Sequence, residues 1–174
     1  MKGQEKLWSI LNDKLETLRA TNRLPQAIRV AETALEVAKR AFPDGQVPLA
    51  TSFESLGELL DQKGDRATAK AYLLKAHGIL EKVKPPDQRA IFRSARRLGF
   101  LCDNIGQSEE AMRFYERAIA AGTQLEEVPY SDLGTMLNNV ALILRKSGRQ
   151  KAADHTICKL CRFTRSSSGP IMPM

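Results

Sequence analysis

Leu60-Asp61-Gln62-Lys63-Gly64-Asp65, Cys102-Asp103-Asn104-Ile105-Gly106-Gln107 and Leu144-Arg145-Lys146-Ser147-Gly148-Arg149 are three versions of one phrase, and each glycine follows the last by 42 residues. A fixed step of that length marks a repeated supersecondary unit. Before the glycines stand Phe53/Leu56/Gly57/Leu60, Ala95/Leu98/Gly99/Cys102 and Leu137/Val140/Ala141/Leu144, an i, i+3, i+4, i+7 stripe that predicts one face of a helix. After them stand Ala69/Leu73/Ala76, Ala111/Tyr115/Ala118 and Ala153/Ile157/Leu160, the stripe of a second helix. Each unit reads as a helix pair, with a glycine free to take positive φ where the first helix stops and the chain reverses.

Small residues recur at two columns, Gly57/Gly99/Ala141 and Ala69/Ala111/Ala153, and facing small side chains let two helices approach closely. Asp65 and Ser108 are the expected caps of second helices. Pro48, Pro85-Pro86-Asp87 and Pro129 fall where each next first helix should begin, because proline is tolerated in a first turn and not later. A fourth, divergent copy precedes these. Asn22 lies 42 residues before Gly64, Ala27/Ala31/Ala34 match the second-helix columns, and Lys14 and Leu15 depart from the first-helix pattern. Such divergence is expected of a terminal repeat, which lacks a neighbour on one side.

Taken together, these columns resemble the tetratricopeptide repeat. The 42-residue period and the segment Leu137-Asn138-Asn139-Val140-Ala141 resemble its longer kinesin-light-chain form. The resemblance implies an all-α fold, a right-handed α-solenoid of four antiparallel helix pairs. The expected boundaries are one domain over 1–165, with repeats at about 5–43, 47–84, 87–122 and 129–164 and a flexible tail over 166–174. It also implies a protein- or peptide-binding scaffold or adaptor and not an enzyme.

Composition agrees with that class. The 174 residues are 43% hydrophobic, 27% charged and only 6% aromatic, a mixture that favours helices over sheets. No long apolar run marks a secretory signal or a membrane span, so a soluble cytoplasmic protein is expected. Three cysteines, Cys102, Cys158 and Cys161, do not make a disulfide framework. The net charge of +7 is uneven: residues 1–87 carry 14 basic and 12 acidic groups, residues 88–174 carry 13 and 8. An anionic partner should prefer the second half.

In the family, the first helices line a concave wall that holds the ligand. Spacing places Thr51, Glu54, Glu58 and Asp61 on that side of one repeat, Arg93, Arg96, Arg97, Phe100 and Asp103 in the next, and Thr135, Asn138, Leu142 and Arg145 in the last, with Asn139 and Lys146 beside them. The wall is expected to be acidic early and basic late. Arginine forks pair with carboxylates while Phe100 and Leu142 hold an apolar side chain, and the asparagines bond a peptide backbone. A partner with an acidic segment is the expectation. The family's clamp for two carboxylates is matched only at its last pair, by Arg93 and Arg97; its other slots hold Asn12, Glu16 and Ser55, and Glu16 repels an anion.

Other chemistry is poorly supported. His155, Cys158 and Cys161 form H-x-x-C-x-x-C, but along one helix the third residue points away from the first, so no metal site and no cofactor are expected. His77 and His155 sit on second helices, and no phosphate loop or nucleophile elbow occurs. Nucleic acid is a competing partner for the basic half, disfavoured by interleaved Asp103, Glu109, Glu110 and Glu116 and by the scarcity of aromatics for stacking. The last pair leaves Ile157, Leu160 and Phe163 without a following helix, so either Ile171-Met172-Pro173-Met174 folds over them or two chains dimerise there.

Overall fold

The computed structural model describes residues 2–42 and 46–167. Ile171, Met172, Pro173 and Met174 lie outside the described residues, as do the side chains of Leu160, Cys161 and Phe163. The described residues form eight helices and no strand: α1 Lys2–Ala20, α2 Leu24–Ala41, α3 Val47–Lys63, α4 Arg66–Leu80, α5 Gln88–Asn104, α6 Ser108–Gly122, α7 Tyr130–Lys146 and α8 Gln150–Ser167. The last of these runs through Ser166 and Ser167, residues expected to start the tail.

Each odd helix ends in the same backbone device. Gly64, Gly106 and Gly148 have φ of 94°, 79° and 76°, and Asn22 joins them at 53°. Asp65 N–H then reaches Leu60 O at 2.9 Å, Gln107 reaches Cys102 O at 2.8 Å, Arg149 reaches Leu144 O at 2.9 Å and Arg23 reaches Leu18 O at 3.0 Å. With the bonds that span fewer residues, from Gly64 to Asp61, Gly106 to Asp103, Gly148 to Arg145 and Asn22 to Arg19, this is a Schellman cap made four times. The 42-residue step is thus a step in hydrogen bonding as well as in sequence.

Helix starts are more varied. Asp65 Oδ1 accepts from Thr68 N–H at 3.2 Å, as expected of it, and Asp87 Oδ1 accepts from Ala90 N–H at 3.0 Å. Ser108 is not a cap. Gln107 takes the N-cap position of α6 without a side-chain bond, because the Schellman turn after Gly106 places Ser108 inside the helix.

The chain divides into two compact units, Met1–Ser94 and Ala95–Met174, with the boundary inside α5. In the first, α1 packs on α2, α2 on α3 and α3 on α4, around Leu15, Ala27, Ala31, Leu35, Phe53, Leu56, Leu60, Ala69, Leu73 and Ala76. Trp8 ties α1 to α3, its indole N–H donating to Ser52 Oγ at 2.8 Å, and its ring meets Phe42 edge-on at 5.3 Å. In the second, α6 packs on α7 and α7 on α8, around Leu98, Leu101, Cys102, Tyr115, Leu133, Met136, Val140, Leu144 and Ala153.

Within a pair, the glycine column is where one helix gives way to the other. A Cβ on Gly57 would lie 2.8 Å from Leu73 Cγ, and one on Gly99 would lie 2.6 Å from Tyr115 Cδ1. The large side chain of the second helix fills the space that the first helix leaves. In α1 and α2 the same columns hold Leu15 and Ala31, both almost fully buried, so large and small have changed places. Leu15, which departs from the repeat pattern, is compensated within its own pair.

Candidate functional site

The residues expected to form the binding wall fall into two groups, those already engaged by the chain itself and those left facing outward. In the first unit they are engaged. Glu54 is only 3% exposed and its Oε2 accepts from Arg93 Nη2 at 3.0 Å. Glu58 Oε2 lies 3.1 Å from Arg19 Nη2, whose guanidinium also donates to Ser55 O at 3.1 Å and to Glu16 at 3.2 Å. Asp61 lies 3.9 Å from Arg66, and Thr51 donates to Val47 O.

The expected acidic stretch is therefore a set of internal ion pairs. Arg93 answers the buried Glu54, and a buried carboxylate demands such an answer because an unpaired charge there is strongly destabilising. Arg19 was not found by spacing. It sits at the column of Asp61 and Asp103, where the other first helices carry no common charge, and only the fold shows that it reaches α3. Beside it opens a cavity of about 270 Å³ lined by Leu18, Arg23, Ala27, Leu59 and Gln62 among others.

In the second unit Arg96 Nη1 pairs with Asp132 Oδ1 at 2.8 Å. Phe100 lies edge-on to Tyr115, with centroids 5.4 Å apart at 81°. Asn139 Nδ2 donates to the Tyr115 hydroxyl at 3.2 Å, so the amide expected to read a peptide backbone serves a buried phenol. Burial pushes the Tyr115 hydroxyl up to about 12, helped by the charge of Asp103 and opposed by the bond from Asn139.

A different part of α7 faces outward. Asn138, Leu142 and Arg145 follow one another at i, i+4 and i+7 and are all exposed, Leu142 to 46%. Arg145 comes no nearer than 3.9 Å to Asp154, itself exposed. Arg97 is half-buried. Asn138, Leu142 and Arg145, with the exposed Thr135 and Lys146, are what α7 presents from the expected wall.

Cys102 is buried and Cys158 exposed, and no cluster of three metal-ligating side chains occurs among the described residues. His77 was not expected to have a serine partner, yet its Nδ1 lies 2.8 Å from Ser94 Oγ and its Nε2 lies 3.5 Å from Glu81. Ser94 is buried and donates its hydroxyl to Ile91 O at 3.1 Å, leaving the His77 N–H as donor. A sealed serine spent on its own helix is packing, not a nucleophile. No helix among the described residues is long and apolar enough to cross a membrane.

Helix hairpins that close on a glycine column, repeat every 42 residues and share one cap define a helical-repeat protein. Residues 50–79 and 97–121 match the tetratricopeptide repeat family, so the chain contains tetratricopeptide repeats. Its fold is similar to the crystal structure of BtubC (BKLC) from P. vanneervenii, with TM-score 0.85 at 18% identity over 98% of this chain and 68% of that one. It is also similar to a putative kinesin light chain with nearly identical TPR-like repeats from Podosopora anserina, with TM-score 0.73, 13% identity, and 93% and 77% of the two chains covered. MamA follows with TM-score 0.72 at 14% identity over 92% of this chain and 80% of that one. No curated protein matches in sequence.

Proposed function

We propose that the chain is a non-catalytic scaffold, a cytoplasmic adaptor in which the four pairs over 1–165 serve as one binding domain, and that it holds a peptide carrying acidic and apolar side chains. The observation that carries this reading is the outward stripe of α7. Leu142 is a large apolar side chain left 46% exposed between Asn138 and Arg145, on a helix whose other face is buried through Leu133, Met136, Leu137, Val140, Ile143 and Leu144.

The stripe supplies three complementary functions. Leu142 offers apolar contact area, Asn138 both donates to and accepts from an extended backbone, and Arg145 pairs with a carboxylate. The exposed Arg145 and Asp154 are held together by no more than about 1 kcal/mol, so a ligand carboxylate exchanges for Asp154 at little cost. Arg97 and Phe100 extend the surface within the same unit. Arg96 and Asn139 are engaged within that unit by Asp132 and Tyr115, while Glu54, Glu58 and Arg93 are paired within the first unit.

Selection of a random twelve-residue peptide display library on the immobilised chain tests the reading. Sequences in which an apolar residue neighbours acids should be enriched, and Leu142→Asp should weaken the recovered peptides at least about tenfold, as loss of an anchoring contact does, with helix content unchanged. Recovered peptides that bind Leu142→Asp and Arg145→Glu as tightly as the parent chain would overturn it.

A further inference from the structure

The first unit carries a second groove, away from the first-helix stripe, where the end of α2, the start of α3 and the last turns of α4 meet. It encloses about 490 Å³ and is lined by Leu49, Phe53, Leu74, Gly78 and Ile79, with Lys39, Lys75 and Lys82 at its edge. The lining contains no acid. Lys39 pairs with Glu36 at 2.7 Å on α2. Lys75 sits over the rings of Phe53 and Tyr72, 5.8 and 5.6 Å from their centroids, and neither it nor Lys82 meets a carboxylate among the described residues. Leu74 is 38% exposed.

The glycine in this lining is the independent sign. Gly78 lies inside α4, where glycine weakens a helix relative to alanine. Gly57 and Gly99, in the middle of α3 and α5, are each required by a neighbour, Leu73 and Tyr115. At Gly78 an added Cβ would meet nothing within 4 Å. The same column holds Glu36 in α2 and Ala120 in α6, so the repeat does not ask for glycine there. Among the described residues nothing fills the space of the missing side chain, and Gly78 lies in the lining of an apolar groove.

We infer that this groove is a second docking site, for a protein segment in which one large apolar side chain is flanked by carboxylates. The apolar side chain rests on Phe53, Ile79 and the bare backbone of Gly78. The carboxylates reach Lys75 and Lys82, and compete with Glu36 for Lys39. Charge complementarity selects such a segment over a neutral or basic one, and the site is independent of the α7 stripe.

The test uses the full chain and a fluorescein-labelled synthetic peptide set of the pattern acid-acid-x-apolar-apolar-x-acid, followed by anisotropy. Members of the set should bind the Leu142→Asp chain, in which the α7 stripe is disabled, and adding Gly78→Leu should reduce their affinity at least about tenfold while raising Tm by about 2–4 °C, since leucine is the better helix former and has room there. Loss of binding together with a gain in stability separates occlusion of the groove from damage to the fold. Lys75→Glu/Lys82→Glu should lose binding in that background and Leu142→Asp alone should keep it. Unchanged binding on adding Gly78→Leu overturns the inference, as does loss in Leu142→Asp alone. Tighter association with phosphatidylserine vesicles than with any peptide, abolished by Gly78→Leu, would also overturn it in favour of an anionic lipid surface.

Discussion

The α5–α6 pair and the α1–α2 pair solve one packing problem in opposite ways. In the former, Gly99 on the first helix makes room for Tyr115 on the second; in the latter, Leu15 on the first helix stands over a second helix that offers Ala31. The repeat therefore preserves the volume shared by two columns and not the residue at either. The two solutions differ in what they then require. An alanine needs nothing further, whereas a buried phenol needs a hydrogen bond, and α7 provides one through Asn139. The pair that buries the larger side chain is tied to the next helix by doing so.

Breaking the tighter pair gives the largest effect. Gly99→Leu places a second bulky side chain against the Tyr115 ring and should destabilise the chain by about 3 kcal/mol in urea unfolding. Adding Tyr115→Ala should recover at least about 1 kcal/mol relative to the sum of the single changes, because the double variant recreates the large-on-small order of Leu15 and Ala31. Additive costs would mean that the columns do not compensate each other.

A comparison of ion pairs comes next. Arg93→Glu opposes a second acid to the buried Glu54 and should cost about 2 kcal/mol, allowing for solvent around the half-exposed guanidinium. Arg145→Glu, on the exposed α7 stripe, should cost less than about 0.5 kcal/mol. Equal costs would show that the two arginines do not differ as their surroundings imply, and binding assays should use the second change and not the first.

The hydroxyl of Tyr115 sharpens the comparison further. Tyr115→Phe should cost about 1 kcal/mol through the bond to Asn139. Because the folded hydroxyl keeps its proton up to about pH 12 and an unfolded tyrosine releases it near 10, the unfolded state binds fewer protons in that interval. The contribution of the hydroxyl is thus complete below pH 10 and lost as pH rises toward 12. The stability difference between parent and Tyr115→Phe, measured from pH 8 to 11, should change in that sense. At the turns the effects are small: Gly106→Ala, between α5 and α6, should lose about 1 kcal/mol and Asn22→Gly, between α1 and α2, should gain about 0.5 kcal/mol, read as shifts in the urea midpoint.

Most of the fold was legible because a repeat shows its geometry several times. One glycine is a weak sign; three at a spacing of 42, with an asparagine at the fourth place, locate four caps with the same bonds. Faces of helices were legible for the same reason. What a face meets was not. Spacing set Glu54 on the outward side of α3, and only packing shows Arg93 closing over it. Spacing likewise put Asn139 beside the wall, while the ring of Tyr115, seated where Gly99 has no side chain, brings its hydroxyl within reach of the amide. Arg19 and Gly78 had no column to announce them. Leu142 and Arg145 are exposed, as their spacing along α7 implies.

The exchange of large and small between Leu15/Ala31 and Gly99/Tyr115 also sets the unit in which such a chain can be recombined. A first helix cut from one pair and joined to the second helix of another would bring Leu15 against Tyr115, or Gly99 against Ala31, giving a collision in one graft and a void in the other. Hairpins moved whole carry their own complement with them. For anyone lengthening, shortening or shuffling this array, the permissible seams run through the connections around residues 81–87 and 123–129, and the turns at Asn22, Gly64, Gly106 and Gly148 should stay uncut.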